Sequence, residues 1–79
     1  MMLPITLHRI DPARHMSRFY RLDVQADLFG GWDVVREWGR IGCAGRIRIN
    51  AYPSRSEAVA WTQRQQKTKH GRGYQPIHQ

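Results

Sequence analysis

Arg36, Trp38 and Arg40 are spaced by two, the period that puts side chains on one face of a β-strand. Together they form a small kit for holding a phosphorylated ligand. A guanidinium is a planar fork that matches phosphate oxygens, and an indole gives a surface for a sugar or base. Gly39 points to the opposite face and leaves room there for close packing. The hydrophobic pattern predicts a register with Ile41 opposite Ile47, which sets Arg40 against Arg48 and Trp38 against Asn50. Like charges directly opposite one another destabilise a sheet unless something anionic bridges them. The competing reading makes Trp38 a core aromatic, since Val34 shares its face. Strict alternation puts Glu37 on the inner face with Ile41, unless a bulge or an edge position turns it outward.

The charge distribution extends this kit. The 79 residues carry a net charge of +7, and 11 of the 13 basic residues are Arg. Residues 1–35 hold four Arg and four Asp, whereas residues 36–79 hold nine basic residues and two Glu, so the numerical excess lies in the C-terminal half. Arg46, Arg48, Lys67, Lys69 and Arg72 therefore join Arg36, Trp38 and Arg40 as candidate nucleic-acid-binding residues. The plain alternative for Arg64, Lys67, Lys69 and Arg72 is a solvated helix end.

Other chemistries find little support. His8, His15, His70 and His78 lack metal-ligand spacing, and Cys43 alone builds neither a disulfide nor a thiolate zinc site. Cys43 reads as a small loop or core residue. Asp11, Asp23, Asp27 and Asp33 read as turn or solvated residues, with no acid–base pair among them. Gly42-Cys43-Ala44-Gly45 lacks the Gly-Lys-Ser/Thr ending of a phosphate loop. We expect no enzyme activity, no metal and no cofactor. No stretch is long and apolar enough to span a membrane, and the start lacks signal-peptide features, so the expectation is a cytoplasmic protein without a membrane partner.

These side chains need a scaffold, and the chain predicts an α+β one. Residues 3–10 read as a first strand, 11–15 as a turn, and 17–26 as a strand with Tyr20, Leu22, Val24 and Ala26 on one face. Residues 27–31 form a hairpin loop, 32–41 a third strand, 42–45 a turn and 46–52 a fourth strand with Ile47, Ile49 and Ala51 inward. Ser54 and Glu57 form a capping box for a helix to about Lys69, with Ala58 and Trp61 as buried anchors and Gly71 as the terminating glycine. Gly73 then returns Tyr74 to the sheet, and Pro76 begins a tail. The expected architecture is a twisted antiparallel sheet of about four strands with one C-terminal helix on one face. One domain spans 4–76, with short tails at 1–3 and 77–79.

Trp38-Gly39-Arg40 followed by Ile41-Gly42 resembles the signature of the WGR domain. Phe19-Tyr20-Arg21-Leu22, Gly31-Trp32, Glu57-Ala58, Lys67 and Gly73-Tyr74 follow the family's order, so the resemblance covers nearly the whole chain. It is closest in kind to bacterial proteins that are little more than this domain. The resemblance implies a twisted antiparallel sheet with a packed helix, and binding to DNA near strand breaks, as in DNA-dependent poly(ADP-ribose) polymerases. It implies that Trp38 packs on a terminal sugar, that Arg40 lies beside it, and that Lys67 touches the DNA backbone. Ser17 stands where the family often has Asn. The polymerases' Arg also relays a signal to other domains, and this chain carries none of those domains. Two functions therefore compete: a DNA-binding module with a preference for ends or nicks, and a protein-interaction module that docks on a separately encoded enzyme.

Overall fold

The computed structural model describes residues 3–77. The elements run β1 (Ile5–Asp11), a 3-10 turn (Pro12–Arg14), β2 (Met16–Ala26), β3 (Trp32–Arg40), β4 (Arg46–Tyr52), α1 (Arg55–Gly71) and β5 (Gln75–Pro76). The fold is α+β. All pairings are antiparallel, in the order β4-β3-β2-β1-β5. A fifth strand adds to the four expected, at the point where Pro76 is expected to begin a tail: Gln75 and Pro76 pair with His8 and Leu7, and the Ile77 amide donates to the Thr6 carbonyl at 3.1 Å. Of the expected tails, residues 1–2 and 78–79 lie outside the described residues.

Alternation builds the core where it is strongest. Leu7, Tyr20, Leu22 and Val34 point to one face of the sheet and meet Ala58 and Tyr74 in a single buried cluster. Each fully buried aliphatic there contributes about 1.5–3 kcal/mol. Helix α1 lies over this face. Ser54 caps it by accepting from the Glu57 amide at 3.2 Å, and its hydroxyl donates to the Glu57 carboxylate at 3.1 Å. The second half of the expected box thus runs side chain to side chain. Ala58 and Thr62 are the fully buried helix residues, and the Thr62 hydroxyl donates to the Ala58 carbonyl at 2.9 Å. Trp61 is only half-buried, because it rides on Tyr52 and Arg36 at the margin of the core.

The helix ends two residues later than expected. Gly71 is its last residue, and Gly73, with φ +94°, takes the left-handed position that a side chain resists. The Gly73 amide donates to the His70 carbonyl and the Tyr74 amide to the Lys69 carbonyl, both at 3.0 Å. This reversal seats Tyr74 on the sheet, as expected, with 8% of its surface exposed.

Two expectations for β3 and β4 are overturned. First, the register differs: Trp38 faces Arg46, Arg36 faces Arg48, Val34 faces Asn50 and Glu37 faces Ile47. Ile41 leaves the β4 side, its amide donating to the Ser17 carbonyl of β2 at 3.0 Å. The chain re-enters at Gly45, where a Cβ would lie 2.7 Å from both the Phe19 ring and the Trp38 carbonyl oxygen. A residue without a side chain at that point fixes where β4 begins. Second, Ile47, Ile49 and Ala51 are not inward; the two isoleucines are 63% and 58% exposed, and Ala51 is exposed beside them. The helix covers the opposite face, which carries Trp32, Val34, Arg36 and Trp38. Period two separates two faces, but the larger buried set on β1, β2 and β3 decides which one the helix takes. Glu37 therefore lies on the uncovered face, between Arg21 and Ile47, in an unbroken ladder without a bulge.

Candidate nucleic-acid interface

The helix-covered face ends in a pocket of about 570 Å³ beyond the core, lined by Arg18, Tyr20, Trp38, Arg40, Lys69 and Tyr74, with His15 at its margin. Three elements build it. Strands β2 and β3 supply Arg18 opposite Arg40 and Tyr20 opposite Trp38. The last turn of α1 supplies Lys69, and the Gly73 reversal supplies Tyr74.

Rings form its floor. Tyr20 and Trp38 stack side by side with centroids 6.3 Å apart at 25°, and Tyr74 meets Tyr20 edge-on at 6.3 Å. Gln65 donates to the Tyr20 hydroxyl at 3.1 Å, which ties the helix to this floor. The Lys69 ammonium sits 4.6 Å from the Tyr20 ring centroid and 5.5 Å from that of Tyr74. Burial lowers the Lys69 pKa below its ordinary 10.5, and Arg72 and Arg36 lower it further. Its charge is thus held against opposition, a state that a bound anion would relieve.

Behind the floor lies a second layer. The Arg36 guanidinium sits between two indoles, 5.8 Å from the Trp38 centroid and 5.0 Å from that of Trp61. It donates to the Asn50 side chain at 3.1 Å, and its Nε is buried without a hydrogen-bond partner. Arg36 therefore braces Trp38 in place.

The remaining sequence candidates divide. Arg40 is exposed at the pocket rim, Arg46 is exposed opposite Trp38, and Arg48 is exposed opposite Arg36. Both β4 arginines lie on the helix side of the sheet, yet they remain open because the helix does not reach over them. Arg72 is exposed at the helix end, outside the pocket lining. Lys67 projects to the other flank of α1, into a separate groove with Leu7, Gln66 and His70. The structure brings Lys69 to Trp38 and Arg40, and leaves Lys67 apart.

Sequence reasoning missed Arg9 and Arg18. Arg9 pairs with Arg18 and Arg18 with Arg40, so three guanidinium-bearing positions cross the sheet in one row. The like-charge juxtaposition expected between Arg40 and Arg48 is replaced by two: Arg48 faces Arg36 across β3–β4, and Arg40 faces Arg18 across β2–β3. The apparent neutrality of residues 1–35 hid this row. Asp23, Asp27 and Asp33 lie at the 27–31 end of the hairpin, while Arg18 and Arg40 lie at its other end. Asp11 stays near the basic end, 3.7 Å from Arg14. The fold thus separates charges that a running sum cancels.

No described helix is long and apolar enough to cross a membrane. Cys43 is an exposed loop residue.

The sequence matches the family model of the WGR domain over residues 3–79. It is also similar to an uncharacterised protein, y4dW, of Sinorhizobium fredii, with 34% identity over 70 residues. The match covers 89% of this chain and 34% of that protein, so this chain spans about a third of its relative's length.

Proposed function

Since the chain belongs to the WGR domain family, a family of nucleic-acid-binding modules, we propose that it binds DNA through the Trp38–Arg40–Lys69 pocket and favours the ends or nicks of duplexes. One observation carries the reading: a concave aromatic floor rimmed by Arg18, Arg40 and Lys69. An intact duplex buries its base faces by stacking and keeps each sugar flanked by neighbouring nucleotides, whereas a break exposes the end of a terminal nucleotide small enough to enter such a pocket. The half-buried Trp38 ring takes the terminal sugar, supported from beneath by the buried Tyr20 and Tyr74, while Lys69, Arg40 and Arg18 take the adjoining phosphates. Arg46 and Arg48 continue the cationic track along the edge of the sheet. Arg36 acts indirectly, by holding the Trp38 ring. Lys67 and Arg72 add to the field without touching the terminal nucleotide.

The test is fluorescence anisotropy with labelled intact, blunt-ended and nicked duplexes at two salt concentrations; closed circular DNA serves as the intact form. The proposal expects tighter binding to the broken forms and affinity that falls steeply with salt. Equal affinity for closed and nicked DNA would remove the end preference. Affinity insensitive to salt would remove the phosphate contacts altogether.

A further inference from the structure

The free edge of the sheet plays no part in the pocket. Strand β4 ends the strand order, and among the described residues nothing pairs with its outer side. Its ladder to β3 runs unbroken from Trp32–Tyr52 to Trp38–Arg46, and Pro53 stands just beyond its end. Folded proteins shield such an edge with bulges, proline, a covering element or charge. Of these, β4 has only charge, and that charge is sorted by face. Arg46 and Arg48 lie on the helix side; Ile47 and Ile49 lie on the other, 63% and 58% exposed. On that second face Glu37 stands across from Ile47 and Asp33 across from Ala51.

We propose that β4 receives an extended segment of a partner protein as a sixth strand, with acidic residues alternating with aliphatic ones. Main-chain hydrogen bonds hold such a strand, and alternate side chains give the specificity. Carboxylates on the incoming strand lie beside Arg46 and Arg48, and its aliphatic side chains lie beside Ile47 and Ile49. A slip of one residue would move the carboxylates to the face that carries Glu37 and Asp33, and would leave both arginines unpaired. Charge thus selects both the sequence pattern and the register. A second copy of this chain is a poorer occupant, because its own β4 carries arginine where carboxylate is wanted. Arg46 and Arg48 also lie on the cationic track proposed for DNA, so an incoming strand and a long duplex compete for them. The proposal does not depend on DNA binding at the pocket, which neither residue lines.

The test uses the full chain, labelled with 15N, and a capped heptapeptide of alternating Glu and Val. A second peptide with its central Val replaced by Pro has the same charge but cannot complete a ladder. Addition of the first peptide is expected to shift the amides of residues 46–52 and to slow their hydrogen exchange. The proline peptide should bind at least about tenfold more weakly, equivalent to ~1.4 kcal/mol. The Ile49→Asp variant should lose the first peptide by a similar factor while its spectrum still shows a folded sheet. Equal binding of the two peptides would reduce the effect to bulk charge and overturn the proposal. So would shifts confined to Tyr20, Trp38 and Lys69, absence of shifts at millimolar peptide, or self-association through β4 without peptide. Loss of duplex binding alone would count against the pocket, not against β4.

Discussion

Lys69 and Lys67 carry the same charge, two residues apart on one helix, and the fold gives them different tasks. Removal of either lowers the net charge from +7 to +6, so their long-range contributions to a polyanion's attraction match. Their local contributions do not. Lys69 lies over two tyrosine rings at 4.6 and 5.5 Å and lines the pocket with Trp38 and Arg40. Lys67 lines the groove on the far flank. A charge-assisted contact to phosphate is worth about 1.5–3 kcal/mol. Lys69→Ala should therefore weaken binding to a nicked duplex by about tenfold to 150-fold at low salt. It should also lower the slope of log K against log salt by about 0.9, the value for one neutralised phosphate. Lys67→Ala should change affinity only through the shared field, with a slope change well below that. The fold should tolerate the loss of Lys69. Its cation–π contacts stabilise by about 0.5–1 kcal/mol, and its removal relieves repulsion from Arg72 and Arg36. Anisotropy titrations at four salt concentrations, with urea denaturation alongside, make the comparison. Equal losses for the two variants would refute the geometric argument, and so would an unchanged slope for Lys69→Ala.

Trp38→Ala should weaken duplex binding by about 5- to 150-fold, the range for loss of an aromatic contact, with a nearly unchanged salt slope; Trp38→Phe, which keeps a ring beside Tyr20, should restore most of the affinity in the same titration. Arg36→Met should cost about 1–2 kcal/mol of stability in urea through the lost contacts with Trp38 and Trp61, with a salt-slope change no larger than that of Lys67→Ala. Gly73→Ala should cost about 1–2 kcal/mol in the same assay, because φ +94° is hostile to a side chain. The lowered pKa of Lys69 fixes a pH trend. Its protonated form is disfavoured in the fold, so stability should rise as pH increases through the folded pKa towards the ordinary 10.5. Lys69→Gln should flatten that rise in denaturation curves taken across the alkaline window; a rise of the same steepness in the variant would place its origin elsewhere.

The sequence by itself determined the class of fold and the position of its elements other than β5, whose pairing with β1 only the tertiary structure shows. Alternation through Tyr20, Leu22 and Val24 specifies a half-buried strand, Ser54 and Glu57 specify where the helix starts, and the 27–31 and 42–45 turns specify the hairpins. Trp38 and Arg40 were legible as a pair for the same local reason, since a spacing of two on a strand fixes a shared face. Tertiary structure decided which face the helix covers. Local periodicity is symmetric between two faces, and only the summed burial of Leu7, Tyr20, Leu22, Val34 and Ala58 breaks the tie. It decided the β3–β4 register through a close approach at Gly45 that hydrophobic matching of Ile41 with Ile47 does not contain. It also decided the membership of the site. Arg18 reaches Arg40 because antiparallel pairing brings residues 22 positions apart into direct opposition, and Lys69 displaces Lys67 because 3.6 residues per turn sends the two to opposite flanks of the helix, Lys69 over β2 and β3 and Lys67 over β1 and β5. Charge summed along a chain has no direction, and the fold supplied one by sending the aspartates of the 27–31 hairpin to the end opposite Arg18 and Arg40.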